Sequence, residues 1–306
     1  MGVQSHFEPK DYYIKTPYAM YVGKDIAVSN KKNILYDKNN SFYNGVKEDD
    51  IKVAFFAGST GLLGDPNLSE LIEIELEKNL KKNVFLVNYS ILAGTSRQHM
   101  HMLLEYLNDF KPDIIIYYNG FNEILMPFSE DPRAGYPYNQ YYEDIEDWKK
   151  CLIKYSAICG HLEQKYGFFT KKENLRNKNN YLSESWKETI IENYFDTFEK
   201  SKIISEGMKS THYEKPLFIG FFQPFVENIN PYELNNKDKN IVEITNKIRE
   251  KIKNYDYIFD VHDAYNNLKK EEIMDDICHV HGEAHVVMSK IIADIIYNEL
   301  KSQTKE

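Results

Sequence analysis

Scarce cysteine and the lack of any long apolar run are the first features of this sequence. Three cysteines in 306 residues are too few, and too scattered, for a disulfide framework or a four-thiolate zinc site. An odd number also fits a reducing compartment better than an oxidising one. The longest apolar runs, such as Val53–Ala57 and Ile114–Tyr118, are far too short to span a membrane. The N-terminus has no apolar stretch of the kind found in a secretory signal, so we expect a cytoplasmic protein.

An excess of positive charge is also missing. Lys and Arg number 38 against 47 for Asp and Glu, which gives a formal net charge of −9. A general nucleic-acid binder needs a surface that neutralises phosphates, so we expect no nucleic-acid partner. Tryptophan is scarce at 2 residues, whereas Tyr and Phe number 24 and 17. With 42% hydrophobic and 28% charged residues, the composition is that of a soluble globular protein.

Short apolar runs alternate with amphipathic segments along most of the chain. The apolar runs predict buried strands at 53–57, 84–87, 114–118, 217–222 and 257–261. Apolar residues at helical spacing predict helices at 68–80, 96–107, 142–166, 183–208, 236–252 and 282–300. This rhythm is typical of parallel βαβ units whose sheet is covered on both faces.

The length fits either two domains of about 150 residues or one long α/β domain, and we expect a single domain over residues 1–306. Residues 1–50 are rich in Tyr, Asn and Lys and have little periodicity, which predicts an N-terminal extension. We predict that residues 125–215 form a helical insertion that acts as a lid or substrate wall. Its tyrosines can stack on sugar faces or simply pack, and they are Tyr136, Tyr138, Tyr141 and Tyr142.

Polar residues suited to acyl chemistry follow the predicted strands, where ligands bind in open parallel sheets. Ser59 follows the first strand and can be an exposed nucleophile or a helix cap. Gly94 lies in a turn after the second strand and permits close backbone approach. Asn122 follows the third strand and can donate to an oxyanion or form an Asx turn. Asp276 precedes His279 by three residues and can orient its imidazole.

In this order, the four groups of residues resemble the blocks of the SGNH/GDSL hydrolase family. The resemblance covers roughly residues 52–123 and 256–300. The first block departs from the family pattern because Gly58 stands where Asp is usual, as in the Gly-Ser-Thr variant of some family members linked to surface polysaccharides. The third block has Glu123 in place of Asp, and Ser90 stands where a first Gly of the second block is common.

The resemblance implies a fold, a mechanism and a class of substrate. The fold is a three-layer α/β/α, flavodoxin-like arrangement with a central parallel sheet. Ser59 would attack an ester carbonyl while His279, oriented by Asp276, takes the hydroxyl proton. Ser59, Gly94 and Asn122 would form the oxyanion hole. The implied activity is a serine esterase that removes an O-acyl group, most plausibly an O-acetyl group on a carbohydrate, without a metal or cofactor.

Residues beside the blocks are candidates for contact with a small-molecule or carbohydrate ester. We predict substrate-binding roles for Arg97, Gln98, Glu123 and Tyr138. The same machinery can run acyl transfer to a sugar hydroxyl if water is excluded. The acyl chain, the acceptor and the oligomeric state are not indicated by the residues.

Alternatives from other classes rest on two further motifs. The glycine-rich run Gly58–Gly64 follows a strand and resembles the dinucleotide-binding turn of short-chain dehydrogenases, but Asp65-Pro66 interrupts the helix that should follow. A metal hydrolase is the second alternative, and its candidate ligands are Asp275, Asp276, His279, His281 and His285, with His99 and His101. A third alternative uses the same scaffold for binding alone.

Overall fold

The computed structural model describes most of the chain outside two long gaps. It describes residues 46–128, 183–225, 236–269 and 278–303, the single residues Ile273 and Asp276, and the backbone of four short strands before residue 36. The predicted helix at 142–166, most of the predicted insertion and its tyrosine cluster lie outside the described residues.

A parallel sheet of five strands forms the centre of the domain. In chain order its strands are β5 (Ile51–Ala57), β6 (Val84–Asn88), β7 (Ile114–Asn119), β8 (Leu217–Phe222) and β9 (Ile258–Asp260). In space they run β6, β5, β7, β8, β9, and every neighbouring pair is parallel. All five strands lie where the apolar runs predicted them, and the predicted ends differ by at most two residues.

Helices cover both faces of this sheet. They are α1 (Leu68–Leu80), α2 (Ser96–Phe110), α3 (Phe121–Leu125), α4 (Glu184–Glu206), α5 (Asn236–Ile252) and α6 (Glu283–Gln303). Residues of α1 and α6 share one core with one face of the sheet, and residues of α2, α4 and α5 share a second core with the other face. The predicted three-layer α/β/α architecture is therefore confirmed.

Alternate residues of β5 belong to different cores, which explains why the strand is apolar throughout. Ala54 and Phe56 lie in the core with α2 and α4, whereas Val53, Phe55 and Ala57 lie in the core with α1 and α6. All five side chains are fully buried. A central parallel strand has no solvent-facing side, so it has no polar alternation.

The N-terminal extension contains strands that its composition did not predict. Its strands are β1 (Tyr13–Thr16), β2 (Met20–Gly23), β3 (Asp25–Val28) and β4 (Lys32–Leu35). Strand β3 pairs antiparallel with the edge strand β6, and β4 pairs with β3. These two strands therefore widen the central sheet to seven strands.

Helix α4 lies within the predicted insertion, and it packs on the sheet. It contacts α2, α5 and β8, and its buried residues include Tyr194, Phe195 and Phe198. Its position makes it the covering helix on the crossover from β7 to β8. A role as lid or substrate wall for residues before α4 stays a prediction, because they lie outside the described part of the chain.

A buried carboxylate holds the amino end of β7. Asp113 has no exposed surface, and its Oδ2 accepts the Lys52 N–H at 2.9 Å and contacts His212 Nδ1 at 2.9 Å. Its Oδ1 accepts from Ser210 Oγ at 2.6 Å and from the N–H groups of Thr211 and His212 at 3.0 and 2.8 Å. Burial alone would raise the pKa of Asp113, but these hydrogen bonds outweigh it and the pKa lies below its usual value.

We expect Asp113→Asn to lower the free energy of unfolding by about 2–3 kcal/mol at neutral pH, because an amide nitrogen cannot accept the N–H groups that face it. The folded pKa of Asp113 is below the unfolded one. Its contribution is therefore complete above the unfolded pKa and disappears as pH falls through the folded pKa. Urea unfolding of both proteins across the acid range measures this, with the exposed Asp256→Asn as control. A difference that does not shrink with acidification would contradict the assignment.

Candidate active site

Ser59 lies at the carboxyl end of β5 on a tight turn. Gly58 precedes it in extended conformation, and residues 59–61 form one 3-10 turn whose carbonyl at Ser59 accepts the N–H groups of Leu62 and Leu63. The turn leaves the Ser59 side chain half-buried. Its Oγ lies 2.7 Å from His279 Nε2, across 220 positions of sequence.

His279 is held from its other side by Asp276. Its Nδ1 lies 2.6 Å from Asp276 Oδ2. A carboxylate only accepts, so the proton lies on Nδ1, and Nε2 is left to accept from the Ser59 hydroxyl. Asp276 Oδ1 also accepts the backbone N–H groups of Cys278 and His279, both at 2.8 Å, which fixes the loop. Burial raises the pKa of Asp276, but these bonds and His279 outweigh it and bring the pKa below its usual value.

The Asn122 side chain packs directly against Gly58 and leaves no room for a side chain at position 58. Asn122 is buried in the first turn of α3, and its Nδ2 donates to the Gly94 carbonyl at 2.8 Å. A Cβ on Gly58 would come within 2.5 Å of that Nδ2. The absence of a side chain at Gly58 therefore allows the Asn122 amide to take this position. An amide nitrogen carries two hydrogens, so one remains after the bond to Gly94.

The backbone N–H of Gly94, predicted to be an oxyanion donor, is bonded within its own turn. The Gly94 N–H donates to the Ile91 carbonyl at 3.0 Å and closes a turn over residues 91–94, so it is already used. Its predicted role as an oxyanion donor is therefore not supported. The neighbouring Ala93 has a φ of 55°, a left-handed conformation that costs a residue with a Cβ roughly 1–2 kcal/mol. Its N–H has no acceptor among the residues that the structure describes. The residue type of Ala93 does not predict this backbone conformation, so the sequence does not point to it.

Two of the predicted substrate-binding residues are used inside the protein. Gln98 is buried, and its Oε1 accepts the Thr95 N–H at 3.0 Å, which caps α2. Arg97 Nη1 lies 3.9 Å from an Asp196 carboxylate oxygen on α4. The contact of Gln98 gives it a structural role in the cap of α2, whereas the Arg97 side chain is 28% exposed and its contact with substrate stays a prediction. Tyr138 lies outside the described residues.

Glu123 also turns inward. Its Oε1 accepts the Ser96 N–H at 2.5 Å and its Oε2 accepts the Gly120 N–H at 3.0 Å. Gly120 has a φ of 135°, which favours glycine, and a Cβ there would meet the Phe222 ring at 2.6 Å. Both carboxylate oxygens of Glu123 are thus occupied by backbone donors, and this geometry does not support the predicted contact with substrate.

The candidate metal ligands are dispersed in the structure. The only cluster of potential ligand atoms within the described ranges is Asp276, Cys278 and His279, whose atoms lie within 4.8 Å of one another. His279 Nδ1 and Asp276 bind each other, and burial raises the pKa of the Cys278 thiol, so it stays protonated and is a poor ligand. His285 instead contacts the Pro66 carbonyl through Nδ1 at 2.7 Å. His99 is buried in the core, and Asp275 lies outside the described residues.

The geometry of the glycine-rich run does not favour dinucleotide binding. Helix α1 begins only at Leu68, after the 3-10 turn and Asp65-Pro66, so the glycines do not open directly into it. Asn88 at the end of β6 donates through Nδ2 to the Gly61 carbonyl at 2.8 Å and to Ser69 Oγ at 3.1 Å. A dinucleotide site needs an acidic residue there for the ribose.

Comparisons with known proteins find similarity at the level of structure. No protein-family model and no curated protein sequence matches the chain. A lipase from a goat rumen metagenome has 14% identity and a TM-score of 0.47, with 81% of this chain and 98% of the lipase covered. An acetylxylan esterase from Geobacillus stearothermophilus has 12% identity and a TM-score of 0.44, with 82% and 96% covered.

A GDSL-like lipase from Bacteroides thetaiotaomicron has 12% identity and a TM-score of 0.44, with 83% of this chain and 91% of the lipase covered. No described helix of this chain is long and apolar enough to cross a membrane. All three solved structures have TM-scores below 0.5, and the α/β/α arrangement follows from the strands and helices described above.

Proposed function

We propose that this protein is a serine esterase with Ser59 as nucleophile, His279 as general base and Asp276 as the residue that orients the base. One observation carries the proposal: the Ser59 hydroxyl lies 2.7 Å from His279 Nε2, while His279 Nδ1 lies 2.6 Å from Asp276. A serine hydroxyl is a weak nucleophile until an adjacent base takes its proton, and this chain of contacts provides the base.

The proposed reaction has two steps. Ser59 Oγ attacks the ester carbonyl carbon as its proton passes to His279 Nε2, and His279 then delivers that proton to the leaving alcohol. The product of this step is an acyl-serine. Water, deprotonated by the same nitrogen, attacks the acyl carbon, the bond to Ser59 Oγ breaks, and His279 Nε2 returns the proton to Oγ as the acid leaves. The Asp276 carboxylate stabilises the His279 cation that exists during both steps.

The oxyanion of each tetrahedral intermediate needs donors that are not already used. Three candidates lie in the blocks: the Ser59 N–H, the second hydrogen of Asn122 Nδ2 and the N–H of Ala93. We propose these three, with Gly94 contributing through its carbonyl, which holds the Asn122 amide at 2.8 Å. The left-handed backbone of Ala93 supports its inclusion, because strained residues cluster at functional sites.

The substrate that we propose is an O-acetyl ester on a carbohydrate. This part rests on the resemblance of the Gly58-Ser59-Thr60 block to a variant of the family linked to surface polysaccharides. The fit of Gly58 against Asn122 gives that variant a structural basis but no preference for a sugar. Acetylated xylan oligosaccharides and p-nitrophenyl acetate are suitable first substrates, and release of acetate is the readout.

We expect Ser59→Ala to reduce hydrolysis of p-nitrophenyl acetate by at least about 10³-fold, because it removes the hydroxyl that lies 2.7 Å from His279 Nε2. The exposed Ser302→Ala is the matched control and should keep full activity. A fluorophosphonate probe should label the unaltered protein and the control but not Ser59→Ala. Activity that survives in Ser59→Ala would contradict the proposed nucleophile.

We expect Asp276→Asn to lower kcat by roughly 10²–10³-fold with little change in KM, because the amide no longer fixes the proton on Nδ1 of His279. Steady-state kinetics measure the change. The control is Asp256→Asn, which removes a carboxylate that is 89% exposed. Equal kcat in the two variants would show that Asp276 has no role in orienting the base.

We expect Gly58→Ala to lower kcat by roughly 10–100-fold, because the new Cβ displaces the Asn122 amide from its bond to Gly94. Gly207→Ala is a matched control, since a Cβ there meets its nearest atom at an ordinary 3.5 Å. Both variants are compared by kcat and melting temperature. A Gly58→Ala protein with unaltered kcat would mean that Asn122 does not stabilise the oxyanion.

A further inference from the structure

The carboxylate of Glu123 joins two loops that are far apart in sequence. Its Oε2 accepts the N–H of Gly120, in the same turn of α3, at 3.0 Å. Its Oε1 accepts the N–H of Ser96, which is 27 positions away, at 2.5 Å. The first bond is an ordinary helix cap. The second bond is not needed to form α3 and connects α3 to the start of α2.

The two loops joined by Glu123 carry the proposed oxyanion donors. Ser96 is the first residue of α2 and follows the turn that contains Ala93 and Gly94. Asn122 immediately precedes Glu123 in α3. A change in the distance between Ser96 and Glu123 therefore changes the distance between the turn at residues 91–94 and the Asn122 amide.

A second polar contact lies beneath the same two loops. Asn119 Nδ2, at the end of β7, lies 3.3 Å from His99 Nδ1 and 3.4 Å from Glu123 Oε1. His99 is buried in α2, and burial lowers its pKa to about 3, so it stays neutral and accepts this hydrogen bond. A Cβ on Gly94 would lie 2.9 Å from His99 Nε2, so the imidazole supports the turn from below.

We propose that Glu123 is a positioning residue of the oxyanion hole, which fixes the turn at residues 91–94 relative to Asn122 by binding the N–H groups of Ser96 and Gly120 together. The inference rests on the proposed esterase function. It also gives a physical reason for Glu in this block, where the resembled family usually has Asp. An aspartate is one methylene shorter, so its carboxylate cannot hold both N–H groups at the distances that Glu123 has.

This proposal differs from a role in helix capping alone by its prediction for two variants. Glu123→Gln keeps the length of the side chain but turns one acceptor into a donor that faces an N–H. Glu123→Asp keeps the charge but is one methylene too short to bind Gly120 and Ser96 together. If Glu123 only caps α3, both variants should lower the melting temperature and leave kcat per active site unchanged.

Steady-state hydrolysis of p-nitrophenyl acetate by the full chain tests the proposal. We expect both variants to lose roughly 10–100-fold in kcat while KM changes by less than about 2-fold, because the misplaced donors stabilise the transition state rather than bind the substrate. Active sites are counted with a fluorophosphonate probe so that unfolded protein does not enter kcat. The assay is run well below the melting temperature of every variant.

Asp113→Asn is the matched control. It removes a buried carboxylate that also accepts backbone N–H groups, but at the opposite end of the same strand, roughly 20 Å away at ~3.3 Å per residue. We expect it to lower the melting temperature and to leave kcat per active site unchanged. This control therefore distinguishes a general loss of stability from a loss of positioning at the site.

The outcomes distinguish this inference from the proposed function. If the unaltered protein lacks hydrolysis that depends on Ser59, the proposed function fails and this inference fails with it. If hydrolysis depends on Ser59 but Glu123→Asp keeps the kcat of the unaltered protein, only the positioning role is overturned. An equal loss of kcat in Asp113→Asn would also overturn it. A loss confined to the two Glu123 variants supports it.

Discussion

Burial of the central sheet on both faces is the constraint on which the rest of the structure depends. Because helices cover both sides, the inner strands β5, β7 and β8 are buried apart from the partly exposed Lys52, and their polar chemistry is confined to their ends. At the amino end, Asp113 collects backbone donors from Lys52 and from residues 210–212. At the carboxyl end, Ser59 and Asn122 follow β5 and β7. The amino ends of the strands therefore have a structural role, and their carboxyl ends form the candidate catalytic site.

Much of this arrangement is predictable from the sequence because burial leaves a clear trace in composition. Runs such as Val53–Ala57 have no polar residue, and their length is that of a strand. Two of the site residues, Ser59 and Asn122, follow strands, and His279 precedes the last described helix. Topology alone therefore brings them toward the carboxyl ends of the strands. The β3 and β4 strands were missed because an added edge pair needs no continuous apolar run, and its partner β6 is distant in sequence.

The differences between the predicted roles and the observed contacts at the site have a different physical cause. The prediction for Gly94 assumed that its N–H is the free donor. The turn uses that N–H in a bond to the Ile91 carbonyl, and the N–H of Ala93 remains available. The predictions for Gln98 and Glu123 assumed that polar residues beside a site face the ligand. Both side chains instead accept backbone N–H groups at helix starts, which are unsatisfied donors in any helix. Residue type does not reveal which donors the backbone leaves unpaired, so coordinates are needed.

The distance in sequence between Ser59 and His279 has a consequence for synthesis of the chain. A ribosome that has completed Ser59 must add 220 more residues before its partner exists. Helix α6, which follows His279, also covers the sheet face beside α1, so that core is incomplete until α6 is made. Nascent chains that lack His279 and α6 therefore carry an unpaired serine and an open apolar face together, and both are closed by the same segment. Acquisition of the site and completion of this core therefore depend on the synthesis of one segment.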